Sequence, residues 1–437
     1  MTGLAPEYLL QFTVDFPPPK RPCVPRFAIS SLIALSLCAC SASDATLGVD
    51  RNNESPPSGA ARSAGLTRVD LGTLGGASSY ATDINSDNTV VGWSDTQTGA
   101  THAFRWSVSG GMVDLGTLPG DAMSRAVAIL DGGQILGASG DDGRWTPVVW
   151  SASGSISALP IPLISGFQTA LPSSFNARGD VVGSDAGGVA VQHGWIWSDA
   201  SGKYNLSANV PGGSDEGFAG AVTSSGIVVF TNKAFTCAQQ CWRTYLWSQT
   251  SGFTSLGTPG NDPEANVHGL ALNASGTVAG WVTTSTTNGE VPYRWVAGTG
   301  FTLLARYSAD SYGYATAVSP NGTVVGAALE PTSGSVVASA WLIDGSLVRL
   351  SPADPNSSVA VAINNPGTIA GWAAVSNGAN HAVIWQPSSA SHTILTSPTT
   401  VTAVRVSTAS SSCLADARSI TSRQSLFACV IKADHKR

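Results

Sequence analysis

The stretch Thr89-Val90-Val91-Gly92, followed by a segment that ends in Trp106, decides the fold because the chain repeats it. The same apolar run closed by Gly occurs as Gln134-Ile135-Leu136-Gly137, Asp180-Val181-Val182-Gly183, Thr277-Val278-Ala279-Gly280, Thr323-Val324-Val325-Gly326 and Thr368-Ile369-Ala370-Gly371. A further copy, Ile227-Val228-Val229-Phe230, has Phe in place of the Gly. Each copy is followed by a Trp: Trp106, Trp150, Trp197, Trp247, Trp295, Trp341 and Trp385. Successive Trp residues are 44, 47, 50, 48, 46 and 44 positions apart, a period in the range of propeller blades.

Working outward, each unit reads as four short strands. The first is Tyr80-Ala81-Thr82-Asp83-Ile84, the second carries the Gly, the third carries the Trp, and the fourth is Met112 to Leu118 or its equivalent. Clusters of Gly, Ser and Asn separate them, leaving no room for a long helix. Between strands one and two stand Asn85-Ser86-Asp87-Asn88, Asn176-Ala177-Arg178-Gly179, Asn273-Ala274-Ser275-Gly276 and Asn364-Asn365-Pro366-Gly367, with Gly133, Gly226 and Gly322 at the same last position elsewhere. Gly and Asn accept positive φ most readily, as a hairpin with a type I turn and a bulge requires. The leading Asn can bond its own turn. The expected fold is therefore all-β: a propeller of seven four-stranded blades over residues 66–396, with an atypical tail at 397–437. Candidate fourth strands flank the units, Thr67–Leu74 before the first and His392–Leu395 after the last, and the N-terminal one, with its Val-Asp-Leu pattern intact, is expected to complete the seventh blade. The alternative is a decayed eighth blade built from Thr400–Val406 and Leu426–Ile431.

Composition agrees with an exported β protein. Charged residues are 11% of the chain, under half the roughly 25% usual for soluble domains. The formal charge, 22 − 28 = −6, argues against a nucleic-acid partner held by phosphate neutralisation. No apolar run reaches the ~18–20 residues of a membrane span.

The N-terminal segment supplies an address. Lys20, Arg21 and Arg26 precede an apolar stretch from Phe27 to Leu37 that ends in Leu37-Cys38-Ala39-Cys40, the layout of an export signal. The ending resembles the bacterial lipobox, and on that resemblance Cys40 is the lipidated residue, giving a membrane anchor. Ser41 after it resembles the outer-membrane sorting pattern; ordinary secretion with cleavage near Ser41-Ala42-Ser43 is the alternative. Residues 1–19, with Glu7, Asp15 and Pro17-Pro18-Pro19, fit a signal poorly and suggest a start assigned too far upstream. Residues 40–65 read as a flexible tether of ~25–30 Å. Little in it could be buried, so no folded element is expected there.

The stretches His102-Ala103-Phe104-Arg105-Trp106 and Val69-Asp70-Leu71-Gly72-Thr73-Leu74-Gly75-Gly76 resemble the bacterial extracellular HAF-repeat family. The likeness covers about residues 66–396. It is close in the first unit, good at His381-Ala382-Val383-Ile384-Trp385, and weak at His193-Gly194-Trp195-Ile196-Trp197 and Tyr293-Arg294-Trp295. It implies a β-propeller at the cell surface and no catalytic residues.

Chemistry-bearing patterns are few. His102, His193 and His381 occupy equivalent positions of different units, so a propeller holds them apart; packing or turn bonding is expected, and no metal or cofactor site. The seven repeat Trp residues suit inter-blade packing, and so do Trp93, Trp281 and Trp372, which directly follow the strand-two Gly. Trp145, Trp195 and Trp242 fall outside the pattern and are the candidate ligand-binding aromatics, presented from loops. Asp262, Glu264 and Glu290 are the nearest approach to a glycosidase pair. No Gly-x-Ser-x-Gly elbow or phosphate loop occurs. With Cys23 and Cys38 removed with the signal and Cys40 lipidated, four Cys remain, which allow three connectivities. Cys237–Cys241 and Cys413–Cys429 are the expected disulfides. The function expected is a surface binding or interaction module for a glycan or an envelope protein. A channel hydrolase acting on an extracellular polymer and a structural scaffold are the rivals.

Overall fold

The computed structural model describes residues 62–63, 66–141, 143–186, 192–235, 237, 241–287, 289–351 and 357–387. Cys40, Cys413, Cys429 and the segments 392–395, 400–406 and 426–431 lie outside the described residues.

Seven antiparallel sheets form a seven-bladed propeller. Blade one spans residues 75–114, blade two 123–158, blade three 169–205, blade four 213–255, blade five 266–303, blade six 313–349 and blade seven 358–387. Within each, strands follow chain order from the first outward. The seven first strands touch one another in succession, and that of blade seven touches that of blade one, so they form the inner wall of a closed ring. Among the described residues the only helical segments are the 3-10 turns Ser207–Asn209 and Pro259–Asn261.

The ring closes as expected. Blade seven supplies three strands, Ser358–Ile363, Ile369–Ala374 and Asn380–Pro387, and Leu66–Asp70 pairs antiparallel with the last of them. Val69 lies opposite Ile384, and the Leu71 N–H donates to Ala382 O at 2.9 Å. One difference arises upstream. Arg62–Ser63, within the tether, pairs in parallel with Val348 and Arg349 on the outer edge of blade six. Backbone bonding alone makes such a bridge, so it needs none of the apolar residues that the segment lacks.

The turn chemistry is also as expected. The last turn residue has positive φ in all seven blades, from 61° at Asn88 to 88° at Gly322. Asn85, Asn176 and Asn273 accept turn N–H groups on Oδ1, and Asn364 accepts that of Thr368. Their Nδ2 groups do more: Asn176 donates to Thr223 O, Asn273 to Ser319 O and Asn364 to Asn85 O, each in the next blade.

Every first strand carries a β-bulge, at Thr82, Val127, Ser173, Gly220, Leu270, Thr316 and Val361. The bulge explains the Gly of strand two. A Cβ on Gly92 would fall 2.0 Å from Tyr80 O, and one on Gly280 1.9 Å from His268 O. Phe230 stands at this site in blade four. Its buried ring lies over two other glycines, Gly194 and Gly217, where added Cβ atoms would come within 2.5 and 2.7 Å of it. Bulge hydroxyls tie neighbours together: Thr82, Ser173 and Thr316 donate to Ala126 O, Ala219 O and Ala360 O of the next blade.

All seven repeat Trp residues are buried. Trp150 Nε1–H donates to Leu115 O and Trp341 Nε1–H to Ala305 O, in the linkers that enter their blades. Each such ring contributes about 3–5 kcal/mol to packing. The His-Ala-Phe motif is likewise structural. His102 Nδ1 lies 2.8 Å from Asp114 and His381 Nδ1 2.9 Å from Asp70, each pairing with the Asp of its own fourth strand. The Ala103 N–H donates to Ser124 Oγ of the next blade, and Ala382 N–H to Ser79 Oγ across the closure. Phe104 fills the core under Gly92.

Candidate functional site

The two ends of the ring differ in chemistry. At the end that carries the strand one–two turns, polar groups are consumed. Asp131 accepts the Ser86 N–H and hydroxyl, Arg105 donates to Ala152 O, and Asn85 Oδ1 serves its own turn. What remains there is a cleft of about 290 Å³ lined by Asn85, Asp87, Thr89, Arg105 and Asp131 among others.

The opposite end is aromatic. The bulge sets the register there, so that the residue two before it pairs with the residue after the strand-two Gly. Tyr80 lies opposite Trp93, Arg125 opposite Ala138, His268 opposite Trp281, Tyr314 opposite Ala327 and Val359 opposite Trp372. Because the first strands form the inner wall, these pairs ring the mouth of the channel. Tyr80 stacks on Trp93 with centroids 4.1 Å apart, and His268 on Trp281 at 3.8 Å. Between blades, Trp372 meets Tyr80 edge-on at 5.7 Å, and Trp242 meets His268 at 5.3 Å. Trp93, Trp242, Trp281 and Trp372 are all partly exposed. Burial holds the His268 imidazole down to about 3, so the ring is neutral at physiological pH and belongs to the aromatic surface.

The three Trp residues singled out from the sequence separate. Trp242 is at this mouth, at the start of the third strand of blade four, directly after Cys241. The Cys237–Cys241 disulfide forms, with Cα atoms 6.0 Å apart, and pins the start of that strand. Trp145 and Trp195 do not stand on exposed loops. Trp145 is the second residue of the third strand of blade two, pairs with Gly140 and is 6% exposed. Trp195 is 0% exposed in blade three, with Lys203 Nζ 4.9 Å from its ring and the Lys203–Asp185 ion pair beside it. Both were outside the repeat pattern without being outside the sheets. Trp93, Trp281 and Trp372 do pack as the repeat implies, yet they keep part of their surface open; the common position that marked them as packing is also what aligns them round one mouth.

The remaining candidates resolve into local structure. His193 packs on Phe167 at 4.6 Å. Asp262 accepts the N–H groups of Ser285 and Glu264, which hold its carboxyl below the ordinary range against the opposing effect of burial. Among the described residues no group of three His, Cys, Asp or Glu side chains could hold a metal ion.

No family model matches the chain, and no curated protein matches it. Among solved structures it is similar to a streptogramin B lyase, 14% identical over 74% of this chain and 98% of that one, with a TM-score of 0.48. A virginiamycin B lyase from Staphylococcus aureus is 12% identical over 73% and 98%, TM-score 0.47. A puromycin hydrolase is 16% identical over 70% and 51%, TM-score 0.46. At these values neither activity nor ligand transfers. The sheet topology itself defines the class: a seven-bladed β-propeller with an aromatic mouth at one end of its ring.

Proposed function

We propose that the protein is an exported binding module, anchored by a lipid on Cys40, that holds a saccharide at the aromatic mouth. The observation that supports the reading is the gathering of four partly exposed indoles, Trp93, Trp242, Trp281 and Trp372, at one end of the ring. The C–H faces of pyranose rings stack on such surfaces, and an indole loses little freedom on binding because its neighbours already hold it. Propeller ligands commonly enter at the channel mouth. The same reading takes the chain as a HAF-repeat protein, on the strength of His102-Ala103-Phe104 and Val69–Gly76. Signal, lipid and tether would then hold the propeller at the outer membrane or cell surface.

The test is an oligosaccharide array probed with the chain from Ala60 onward and with a Trp93→Ala/Trp281→Ala/Trp372→Ala variant. Retention of at least one glycan class is expected, weakened by about tenfold or more in the variant, since each stacked ring contributes roughly 1 kcal/mol. Equal binding by a variant that melts as a folded protein would refute the assignment of the mouth.

A further inference from the structure

Arg125 is the one feature of the mouth that packing does not account for. It sits on the inner strand of blade two, only 9% exposed, two residues before the bulge. Its guanidinium carbon lies 4.5 Å from the Trp93 ring centre and 5.5 Å from that of Trp145. Among the described residues none of its N–H donors has a hydrogen-bond or ion-pair partner. Nε is enclosed, while Nη1 and Nη2 keep contact with the opening. Other arginines behave differently: Arg178 donates to Ser225 O, Arg243 to Ala265 O and Pro263 O, and Arg294 to Gly322 O. Burying a cation without a counter-charge is costly, and folded proteins ordinarily pair or hydrogen-bond it. Burial does push Arg125 down, to about 10, which leaves it charged at neutral pH. The carboxylate whose field reaches it is Asp95, but the Asp95 oxygens are engaged by the Ser78 N–H and the Thr101 hydroxyl.

We infer that Arg125 receives a carboxylate of the ligand, so that the mouth selects an acidic saccharide, one built from uronic acid units. This rests on the saccharide reading above. The two indoles hold the guanidinium between ring systems at 4.5 and 5.5 Å, with Nε enclosed, so Nη1 and Nη2 are the donors left for a carboxylate, a bidentate contact in which Arg outperforms Lys. Trp93 touches the same guanidinium and is itself partly exposed. A uronate could therefore place its ring on the indole and its carboxylate on the fork. No bond is made or broken.

The experiment is calorimetric titration of the chain from Ala60 with oligogalacturonate and with its methyl ester, which keeps the sugar rings and removes the charge. The acid should bind about tenfold or more tightly than the ester, as expected for charge-assisted hydrogen bonds. Arg125→Met should abolish that preference, bringing acid and ester to the same affinity, and Arg125→Lys should restore only part of it. Titrations with inorganic phosphate and a sulfated oligosaccharide that carries no carboxylate identify the anion; preference for either over the uronate overturns the assignment. Equal affinity of wild type for acid and ester overturns this inference and leaves the saccharide reading standing. Binding of neither form, with no glycan retained on the array, overturns both. The wild-type comparison needs no variant, so it holds even if Arg125→Met does not fold.

Discussion

A chain that begins at Gly75 should melt far below one that begins at Ala60. The deletion removes the strand Leu66–Asp70 and exposes the edge of Asn380–Pro387. It takes Leu71 out of the core between blades seven and one, where Leu71 packs with Ile384, Trp106 and Ala382, and it removes Val69 and Leu74 from the same interface. The His381–Asp70 contact goes with it. Burying one Leu and two partly buried aliphatics, with the ladder bonds, accounts for about 4–6 kcal/mol. That is a large share of the 5–15 kcal/mol typical of a folded domain. The open edge should also promote association, because an unpaired strand recruits another. Differential scanning calorimetry and light scattering on the two forms decide it. Matching melts with no aggregation would mean that Leu66–Asp70 does not close the ring.

The second large effect concerns location. Cys40→Ser should convert a membrane-bound protein into a soluble one without altering the melt of the propeller. Burial of acyl chains gains about 0.8 kcal/mol per CH2; one chain holds only marginally, whereas two hold stably. The lipoprotein pathway that the Leu37-Cys38-Ala39-Cys40 site resembles attaches a diacylglyceryl group. Cell fractionation of the two forms is the measurement. Wild type found in the periplasm or medium, or Cys40→Ser still in the membrane, would overturn the anchor.

The parts of this fold that were legible in the sequence are those set by local chemistry. Positive φ at Asn88 and at six Gly residues follows from one four-residue turn, so the sequence displays it seven times. The closing strand was visible because Val69-Asp70-Leu71-Gly72 repeats Val113-Asp114-Leu115-Gly116. The bulge was not visible, although its mark, the strand-two Gly, was. The reason for that Gly is the carbonyl of Tyr80 or its counterparts, a contact across paired strands that spacing alone does not reveal. The mouth was hidden for a similar reason. Trp93, Trp281 and Trp372 occupy a repeated position, which is what core residues do, while Trp145 and Trp195 break the repeat, which suggested loops. Exposure depends instead on what packs over each ring: Trp145 and Trp242 stand at the same register, opposite Gly140 and Lys233, yet Trp145 is buried with Ala138 and Leu171 while Trp242 keeps part of its surface open. Arg125 offered a signal of another kind: it is a charged residue at a position held elsewhere by Tyr80, Leu171, Phe218, His268, Tyr314 and Val359.

Binding at the mouth requires that particular indoles be open and that a ligand cover them. Oxidation with a tryptophan-selective reagent, mapped by mass spectrometry with and without oligogalacturonate, reads both at once for all 13 Trp residues. Trp93, Trp242, Trp281 and Trp372 should react, and the ligand should protect Trp93 first. Trp145, Trp195 and the seven repeat Trp residues should stay unmodified while the protein is folded. Reaction at the repeat Trp residues would contradict the packing of the ring, and full reaction of the four open indoles in saturating ligand would contradict the mouth as the binding site.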